Sequence, residues 1–179
     1  MFKGTSASAG IGIGKAVIVE EAELVITRNE VADAEAEIQR FKGALEKTIA
    51  ATQKMADDLA SRVGEKEAEI MQGHMMLLSD PMLTGEIENS VKNDKVNCEF
   101  AIENVCNMYA DMFASMGDEL MQQRATDMRD IKVRMQRTLM GLESVDVSLL
   151  PKGSILVAKD LTPSMTAGIN QENVSGIVT

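Results

Sequence analysis

The sequence predicts an α/β domain whose chain is interrupted by an antiparallel bundle of helices. Runs rich in β-branched residues occur near both ends of the chain, at residues 15–19, 24–27, 154–158 and 174–179. Between them, apolar residues recur every three or four positions, which is the period of an amphipathic helix. We therefore expect residues 1–27 and 145–179 to form one α/β domain and residues 28–144 to form a helical domain inserted into it.

Breaks in the periodic pattern separate five helices. The first begins near Val31, with Asn29 as its expected N-cap, and ends before Gly64. The others are expected at residues 65–78, 82–92, 97–116 and 118–139, between helix-ending signals at Pro81, Gly117 and Gly141 and a cap at Asn97. Long helices joined by short connections pack most simply as antiparallel neighbours, so these five should form a bundle.

Composition narrows the classes of partner. The 179 residues are 45% hydrophobic and 26% charged, as in folded domains. A net charge of −10 argues against nucleic acid or an anionic membrane and favours a basic protein partner, although acidic charge also serves solubility alone. No apolar run is long enough to span a membrane, and no signal peptide opens the chain. Cys98 and Cys106 lie too far apart on one helix for a disulfide, so we expect reduced thiols in a cytoplasmic protein.

His74 is the only histidine in the sequence. A lone histidine on an apolar helix is more often a packing or surface residue than a catalytic one. No glycine-rich loop or group of basic residues near His74 would hold a phosphoryl group. No cluster of Cys, His and carboxylate residues has the spacing of metal ligands, so we expect no metal site in this chain.

A segment better suited to phosphate chemistry follows the expected strand at residues 154–158. It reads Asp160-Leu161-Thr162-Pro163-Ser164-Met165-Thr166. Thr162 can cap a helix that starts at Pro163, which leaves backbone N–H groups free beside the hydroxyls of Ser164 and Thr166. The pattern alone leaves two interpretations open, an ordinary helix cap or an anion-binding helix start.

Together these segments resemble Enzyme I, the family of phosphoenolpyruvate-protein phosphotransferases of the bacterial sugar phosphotransferase system. The resemblance rests on four motifs: Gly4-x-x-x-Ser8-x-Gly10-x-x-x-Gly14-Lys15-Ala16, Gly-His-Met-Met-Leu-Leu at 73–78, Arg-Ala-x-Asp-Met-Arg-Asp-Ile at 124–131, and Asp-Leu-Thr-Pro-Ser at 160–164. It implies a phosphohistidine domain of the swivelling β/α type, with Thr166 beside the ring of the phosphorylated histidine.

The resemblance also implies where that histidine lies. In the family, the strand matching residues 174–179 continues through a glycine-rich turn into a Thr-Ser-His motif, and no such motif occurs in this sequence. We therefore expect the phosphorylated histidine beyond Thr179, and an incomplete phosphohistidine domain without a catalytic residue of its own in this chain.

The same resemblance implies that the helical domain binds the phosphocarrier protein HPr. The matching positions combine apolar, acidic and basic side chains: His74, Met76, Leu77, Asp80, Leu83, Glu86 and Arg124. The chain departs from the family's acidic pattern at Lys66, Pro81 and Met82. For the apolar positions two alternatives remain open from sequence, an exposed docking surface or the core of the bundle.

We therefore interpret the chain as the N-terminal part of an Enzyme I. By the resemblance, the whole enzyme takes a phosphoryl group from phosphoenolpyruvate onto a histidine with the help of Mg²⁺ and passes it to HPr. The resemblance also implies a homodimer, formed through a C-terminal domain that holds the phosphoenolpyruvate and Mg²⁺ sites. This chain alone should dock HPr without catalysing transfer. The alternative is a non-catalytic helical interaction module for a basic protein partner.

Overall fold

Three parallel strands form one small sheet. In the computed structural model, which describes residues 4–20, 23–142 and 145–179, the strands β1, β2 and β3 are Lys15–Val19, Ser154–Ala158 and Val174–Val178. β2 lies between the other two strands and pairs in parallel with both. Strands from the two ends of the chain therefore share one sheet.

Helices make up most of the structure. Five long helices lie between β1 and β2 in the sequence: α1 Ala34–Arg62, α2 Glu65–Leu78, α3 Pro81–Asp94, α4 Cys98–Ser115 and α5 Glu119–Met140. A 3₁₀ helix, Val147–Leu149, precedes β2, and the short helix α6, Pro163–Gly168, connects β2 to β3. We call α1–α5 the helical part, and the strands, the 3₁₀ helix and α6 the sheet part. The predicted combination of many helices with an α/β part is confirmed, and the structure shows that its small sheet is parallel.

Several helix ends lie where the sequence predicts them. Helix α2 runs from Glu65 to Leu78 as expected. Gly141 directly follows the last residue of α5 and caps it, and its φ of 66° lies in the left-handed region that glycine adopts readily. Thr162 caps α6 through its side chain, and Pro163 is the first residue of that helix. Within the described residues, no helix is both long and apolar enough to cross a membrane.

Two expected features of the N-terminal region are wrong. Asp33, not Asn29, caps α1, because the Asp33 carboxylate accepts a hydrogen bond from the N–H of Ala36 at 3.0 Å. Asn29 instead donates its N–H to the side chain of Asn97 at 2.9 Å, so the Asn97 side chain does not cap α4. The expected strand at residues 24–27 is absent, because this run finds no neighbouring strand among the described residues.

The last strand is one residue shorter than the sequence predicts. The expected strand includes Thr179, whereas β3 ends at Val178, which pairs with Val157 of β2. Thr179 lies beyond this last pairing and is exposed. The ladder with β2 therefore decides where β3 ends, since the β-branched run itself continues through Thr179.

Two glycines near the N-terminus, Gly12 and Gly14, allow close approach of the backbone. A Cβ atom at Gly12 would collide with the carbonyl oxygen of Ser175, and one at Gly14 would collide with that of Gly153. Glycine at these positions therefore lets the opening segment lie against the sheet part.

Separate apolar cores stabilise the two parts. The larger core fills the helical part and includes Ile38, Phe41, Leu83, Ile87, Ile102 and Met128. The smaller core lies against the sheet and consists of Val19, Val147, Leu150, Leu156 and Ile169. Burial of one such large side chain contributes about 1.5–3 kcal/mol, so each part has its own source of stability.

Arg40 joins α1 to the start of α4. Its guanidinium donates hydrogen bonds to Glu37 at 2.7 Å and to Glu99 at 2.8 Å. Burial by itself would raise the pKa of both carboxyl groups, but the hydrogen bonds from Arg40 and neighbouring groups outweigh it. The pKa of each therefore lies below the ordinary value of 4.5.

This network predicts a pH-dependent loss of stability in Arg40→Gln. We expect the free energy of unfolding at pH 7 to fall by about 1 kcal/mol, as for a partly exposed ion-pair network. Because the pKa values of Glu37 and Glu99 are lowered in the folded state, the contribution is present above 4.5 and is lost as the pH falls through the folded-state values. Urea unfolding at neutral and at acid pH measures it.

Arg129→Gln is the matched control, because Arg129 is exposed and reaches its nearest acid, Asp111, only at 4.0 Å. The control should lose little at either pH. An equal loss for Arg40→Gln at both pH values would contradict the linkage.

Candidate functional site: a buried polar chain and an exposed methionine surface

Asp130 of α5 joins α6 to the helical part. Asp130 is buried, and both of its carboxylate oxygens accept hydrogen bonds from Ser164: Oδ2 from the N–H at 3.0 Å and Oδ1 from the hydroxyl at 2.8 Å. Ser164 lies in the first turn of α6, where backbone N–H groups lack partners inside the helix. A carboxylate of the chain itself therefore lies where the sequence pattern allows an external anion.

The other end of α6 is held by Arg62, the last residue of α1. Its guanidinium donates hydrogen bonds to the carbonyl oxygens of Ile169 and Ala167, each at 3.1 Å. These carbonyl groups belong to the C-terminal turn of α6, where acceptors also lack partners inside the helix. Both ends of α6 are thus attached to the helical part through charged side chains.

Thr166 lies on the free face of α6. It is exposed, and its hydroxyl donates to the carbonyl oxygen of Thr162 at 3.0 Å. The hydroxyl of Thr162 in turn accepts the N–H of Met165 at 3.3 Å. The start of α6 is therefore held by hydrogen bonds of Thr162 and Thr166 within the helix and, separately, by the contact between Ser164 and Asp130.

Thr179 marks the point beyond which the phosphorylated histidine is expected. It lies at the edge of the sheet part, where it lines a surface depression together with Ala7, Ser8 and Leu161. The sequence supplies no histidine there, since its single histidine is on α2. The expected histidine concerns residues outside this sequence, so its position stays a prediction.

His74 extends the polar chain from α5 to α2. The side chain is fully buried at 0% exposure, and its Nε2 lies 3.1 Å from Oδ1 of Asp127. Its Nδ1 lies 3.6 Å from Oδ2 of Asp130, beyond hydrogen-bond length, and has no other partner among the described residues. As placed here, His74 contributes to a contact between helices rather than to an accessible surface.

Arg124 completes the chain at the surface. It is partly exposed, and its Nη1 donates to Oδ2 of Asp127 at 3.3 Å. The guanidinium lies directly against α2, since a Cβ atom at Gly73 would collide with Nη1. Gly73, next to His74 in the sequence, therefore makes room for this arginine, and Arg124 occupies a position from which a partner could be contacted.

We call the polar side chains of Ser164, Asp130, His74, Asp127 and Arg124 the buried chain. It is suited to positioning the helices that carry these residues and not to covalent chemistry. His74 has no solvent access, and Asp127 and Asp130 place negative charge beside its ring, which disfavours an incoming phosphoryl group. Burial raises the pKa of Cys98 and of Cys106 to about 12, so neither thiol supplies a thiolate at neutral pH. Across residues 4–20, 23–142 and 145–179, no group of three His, Cys, Asp or Glu side chains is placed to hold a metal ion.

An exposed surface lies at the junction of α2 and α3. Met76 and Met82 are 74% and 67% exposed, Leu77 is partly buried, and Glu86 is exposed. Asp80 is partly buried because it caps α3, accepting the N–H of Met82 at 2.8 Å. We call these five residues the α2–α3 surface.

The remaining apolar residue expected at this surface lies elsewhere. Leu83 is only 2% exposed and belongs to the core of the helical part. The reason is helical spacing, because Leu83, Ile87 and Val91 follow one another every four residues on the inner face of α3. For Leu83 and His74, the core alternative describes their placement, and the partly buried Leu77 packs against the same core. Met82 supplies exposed apolar area in the place of Leu83.

Tyr109 of α4 is a neighbour of this surface that sequence reasoning missed. The pKa of its phenol is raised, first by burial and then by the negative charges of Glu86 and Asp80. A hydroxyl group therefore lies within electrostatic reach of both acids of the α2–α3 surface. No sequence signal pointed to it, since proximity between α3 and α4 depends on how the helices pack.

Asp127, Asp130 and Ser164 were also not identified as a cluster from the sequence. A signal was present, because Arg124, Asp127 and Asp130 follow one another every three residues, on one side of α5, beside the buried Met128 and Ile131. Acids that close to a buried stripe need hydrogen-bond donors, which this spacing predicts without naming them.

The Asp130–Ser164 contact predicts a large loss of stability in Asp130→Ala. Removal of the carboxylate leaves the buried N–H of Ser164 without an acceptor and leaves its hydroxyl with only that of Thr162 as a partner, so unfolding should become easier by about 2–4 kcal/mol. Ser164→Ala keeps the N–H but removes the hydroxyl, with its hydrogen bonds to Asp130 and to the hydroxyl of Thr162, and should cost less, about 1–2 kcal/mol. Chemical denaturation of both variants and of the double variant measures the coupling between the two side chains.

The matched control is Asp111→Ala, because Asp111 is a well-exposed aspartate near the helix α5. If Asp130→Ala were no less stable than this control, the contact would contribute nothing to the fold.

Comparison with known proteins agrees with this architecture. The profile of the family described as PEP-utilising enzyme, N-terminal, matches residues 3–124, and that of the PEP-utilising enzyme, mobile domain, matches residues 150–179. A solution structure of an Enzyme I protein, determined by NMR, superposes with a TM-score of 0.89 at 36% identity, over 99% of this chain and 72% of that one. The N-terminal domain of a protein titled Enzyme 1 - Nitrogen superposes with a TM-score of 0.68 at 25% identity, over 94% of this chain and 69% of that one.

Curated relatives give the same result. The phosphoenolpyruvate-protein phosphotransferase of Bacillus subtilis is 38% identical over 178 residues, and that of Listeria monocytogenes is 40% identical over 178 residues. Each match covers 99% of this chain but only 31% of the relative, so the chain spans about a third of the length of these proteins. The chain belongs to the family of PEP-utilising enzymes and is similar to the N-terminal part of Enzyme I.

Proposed function

We propose that this chain is the phosphocarrier-docking part of a phosphoenolpyruvate-protein phosphotransferase. In this proposal the whole enzyme takes a phosphoryl group from phosphoenolpyruvate onto a histidine and passes it to HPr. HPr binds at the α2–α3 surface, with Met76, Met82 and Leu77 as the apolar contacts and Asp80 and Glu86 as the acidic ones. Arg124, partly exposed beside α2, is the basic contact.

The observation that carries this proposal is the α2–α3 surface itself. Met76 and Met82 are well exposed, and Met82 lies against the carboxylate of Asp80, in a chain whose net charge is −10. Apolar side chains surrounded by acids fit a partner with a basic rim around an apolar face. Methionine suits such a contact because its flexible thioether adapts to the partner's shape.

The buried chain gives α2 and α6 a shared support in this proposal. The phosphorylated histidine lies beyond Thr179, and Thr166, exposed on α6, hydrogen-bonds its ring, as the resemblance implies. His74 acts through Asp127 and Asp130 in placing α2 against α5 and contacts HPr only indirectly. Leu83 lies in the core of the helical part and supports the α2–α3 surface from there.

The remaining features of the whole enzyme are also proposals. Residues 28–144 form an antiparallel helical domain inserted into a phosphohistidine domain made of residues 1–27 and 145–179. Mg²⁺ and the homodimer contacts belong to a C-terminal domain, and the enzyme works in the cytoplasm. The residues described here have no role in holding the metal.

A non-catalytic interaction module is the second candidate. It rests on the same surface, and it differs in the partner, which would be a basic protein other than HPr. Competition separates the two, because an Enzyme I relative should bind HPr at the α2–α3 surface in preference to other basic proteins.

The first test concerns phosphorylation of the 179-residue chain. Incubation with phosphoenolpyruvate and Mg²⁺ should leave its intact mass unchanged, because the single histidine, His74, is buried beside two carboxylates. A gain in mass of one phosphoryl group that maps to His74 would overturn the proposed role of this residue.

The second test separates docking from folding. Met76→Ala should weaken HPr binding by about 1–2 kcal/mol, as for a contact in the centre of an interface, and leave the melting temperature unchanged. Leu83→Ala should instead lower the free energy of unfolding by about 2–5 kcal/mol, as for a buried leucine. Calorimetric titration with HPr and thermal melts of each variant give both quantities.

Met140→Ala is the control for an exposed methionine, because Met140 ends α5 near Arg40 and lies outside the α2–α3 surface. Unchanged HPr affinity in Met76→Ala would refute the assignment of the docking surface.

A further inference from the structure

A groove of about 290 Å³ lies between α3 and α4. Its α3 wall is a stripe of residues that recur every three or four positions: Glu86, Asn89, Ser90, Asn93 and Asp94. A stripe with this spacing is apolar where a helix packs closely against its neighbour. Because every residue of this stripe is polar, the groove is a surface feature of the helical part and not an extension of its core.

The polar side chains of the groove have few partners within the chain. Asn89, Asn93 and Asn104, the last of which belongs to α4, make no side-chain hydrogen bond among the described residues. Glu86 and Asp94 have no basic nitrogen within 4.0 Å in the described part of the chain. The described lining includes these two acids and no basic residue. The groove therefore offers negative charge together with free hydrogen-bond acceptors.

Asp94 contributes little to the stability of the fold. It is exposed and is the last residue of α3, where a carboxylate meets the negative end of the helix dipole. The one hydrogen bond of its side chain within the described residues accepts the hydroxyl of Ser90 at 3.1 Å. An acid in this unfavourable position is suited to a cation that another molecule supplies.

The α4 wall adds apolar area to the groove. Val105 is buried, and Met108, three residues along the same helix, is 54% exposed. A long basic side chain combines an apolar stem with a charged head, so its stem could pack against this wall while its head reaches the acids. The groove is slightly smaller than the roughly 300–1,000 Å³ of small-molecule pockets, which suits a single side chain better than a whole ligand.

The groove is continuous with the α2–α3 surface. Glu86 belongs to both. Tyr109, next to Met108 on α4, lies within electrostatic reach of Glu86 and of Asp80. A protein bound at the α2–α3 surface therefore has the groove within its reach.

We propose that this groove takes one long basic side chain, an arginine or a lysine, of the protein that docks at the α2–α3 surface. The charged head pairs with Asp94 and Glu86 and donates to the side-chain oxygens of Asn93 and Asn104. Hydrogen bonds between charged groups are the stronger ones, and a charge pair at the rim of an interface fixes how the partner is oriented. The inference rests on the proposed function and adds a contact that selects the partner by the position of one basic residue.

The test is calorimetric titration of the 179-residue chain and its Asp94→Asn variant with HPr. The variant should bind HPr roughly fivefold more weakly, and most of this difference should disappear at high salt. Its resistance to chemical denaturation should not fall, because the substitution removes an unfavourable charge from the end of α3. Asp57→Asn is the matched control, since Asp57 is an exposed acid of α1 outside the groove, and its affinity should stay unchanged.

A second variant and a set of double-mutant cycles locate the contact. Asn93→Lys puts a positive charge into the groove and should weaken binding by about tenfold, whereas Gln53→Lys, on the exposed side of α1, should change it far less. Each arginine and lysine of HPr is then replaced in turn by glutamine and combined with Asp94→Asn. One HPr position should show a coupling of about threefold or more, and its identity distinguishes an arginine from a lysine.

The groove contact is overturned, and the docking surface stands, if Met76→Ala weakens HPr binding while Asp94→Asn binds as tightly as Asp57→Asn. A coupling spread evenly over the basic residues of HPr also overturns it, since that result indicates a general attraction between charges. If the unmodified chain does not bind HPr, the groove contact and the proposed function both fail.

Discussion

The arrangement of this molecule depends on the hydrogen bonds between Asp130 and Ser164. The helical part and the sheet part each have an apolar core, and a third apolar cluster, made of Ala56, Leu59, Met71 and Ala167, joins α1 and α2 to α6, but apolar contacts alone do not fix how the two parts meet. A carboxylate that accepts both an N–H and a hydroxyl from one residue does fix it, because hydrogen bonds have a direction and apolar contacts do not. Arg62 adds a second attachment at the far end of α6, which prevents rotation about the first.

The second buried carboxylate of α5, Asp127, accounts for the position of His74. Asp130 and Asp127 place negative charge inside the helical part, and a buried carboxylate needs donors. Ser164 satisfies Asp130, and Arg124 with His74 satisfies Asp127. The sequence pattern left His74 as either a packing or a surface residue, and the resemblance placed it among the docking positions, whereas its ring serves as the donor or acceptor that joins α2 to this group of charges.

The sequence was informative where local rules decide and uninformative where packing decides. The ends of α2, the glycine at the end of α5 and the threonine cap of α6 follow from neighbouring residues, so they could be predicted. The burial of Leu83 could have been predicted from its four-residue spacing with Ile87 and Val91, but the resemblance assigned Leu83 to the docking surface instead. The partners Asp130 and Ser164 are far apart in sequence, so no local pattern connects them.

Helix α2 links the buried chain and the exposed surface through its own geometry. Residues two positions apart on a helix point about 200° away from each other, so Met76 faces solvent because His74 faces Asp127. A rotation of α2 that changed the exposure of Met76 would break the hydrogen bond between His74 and Asp127. The orientation of the exposed methionine is therefore set from inside the molecule, by the same charges that hold α6.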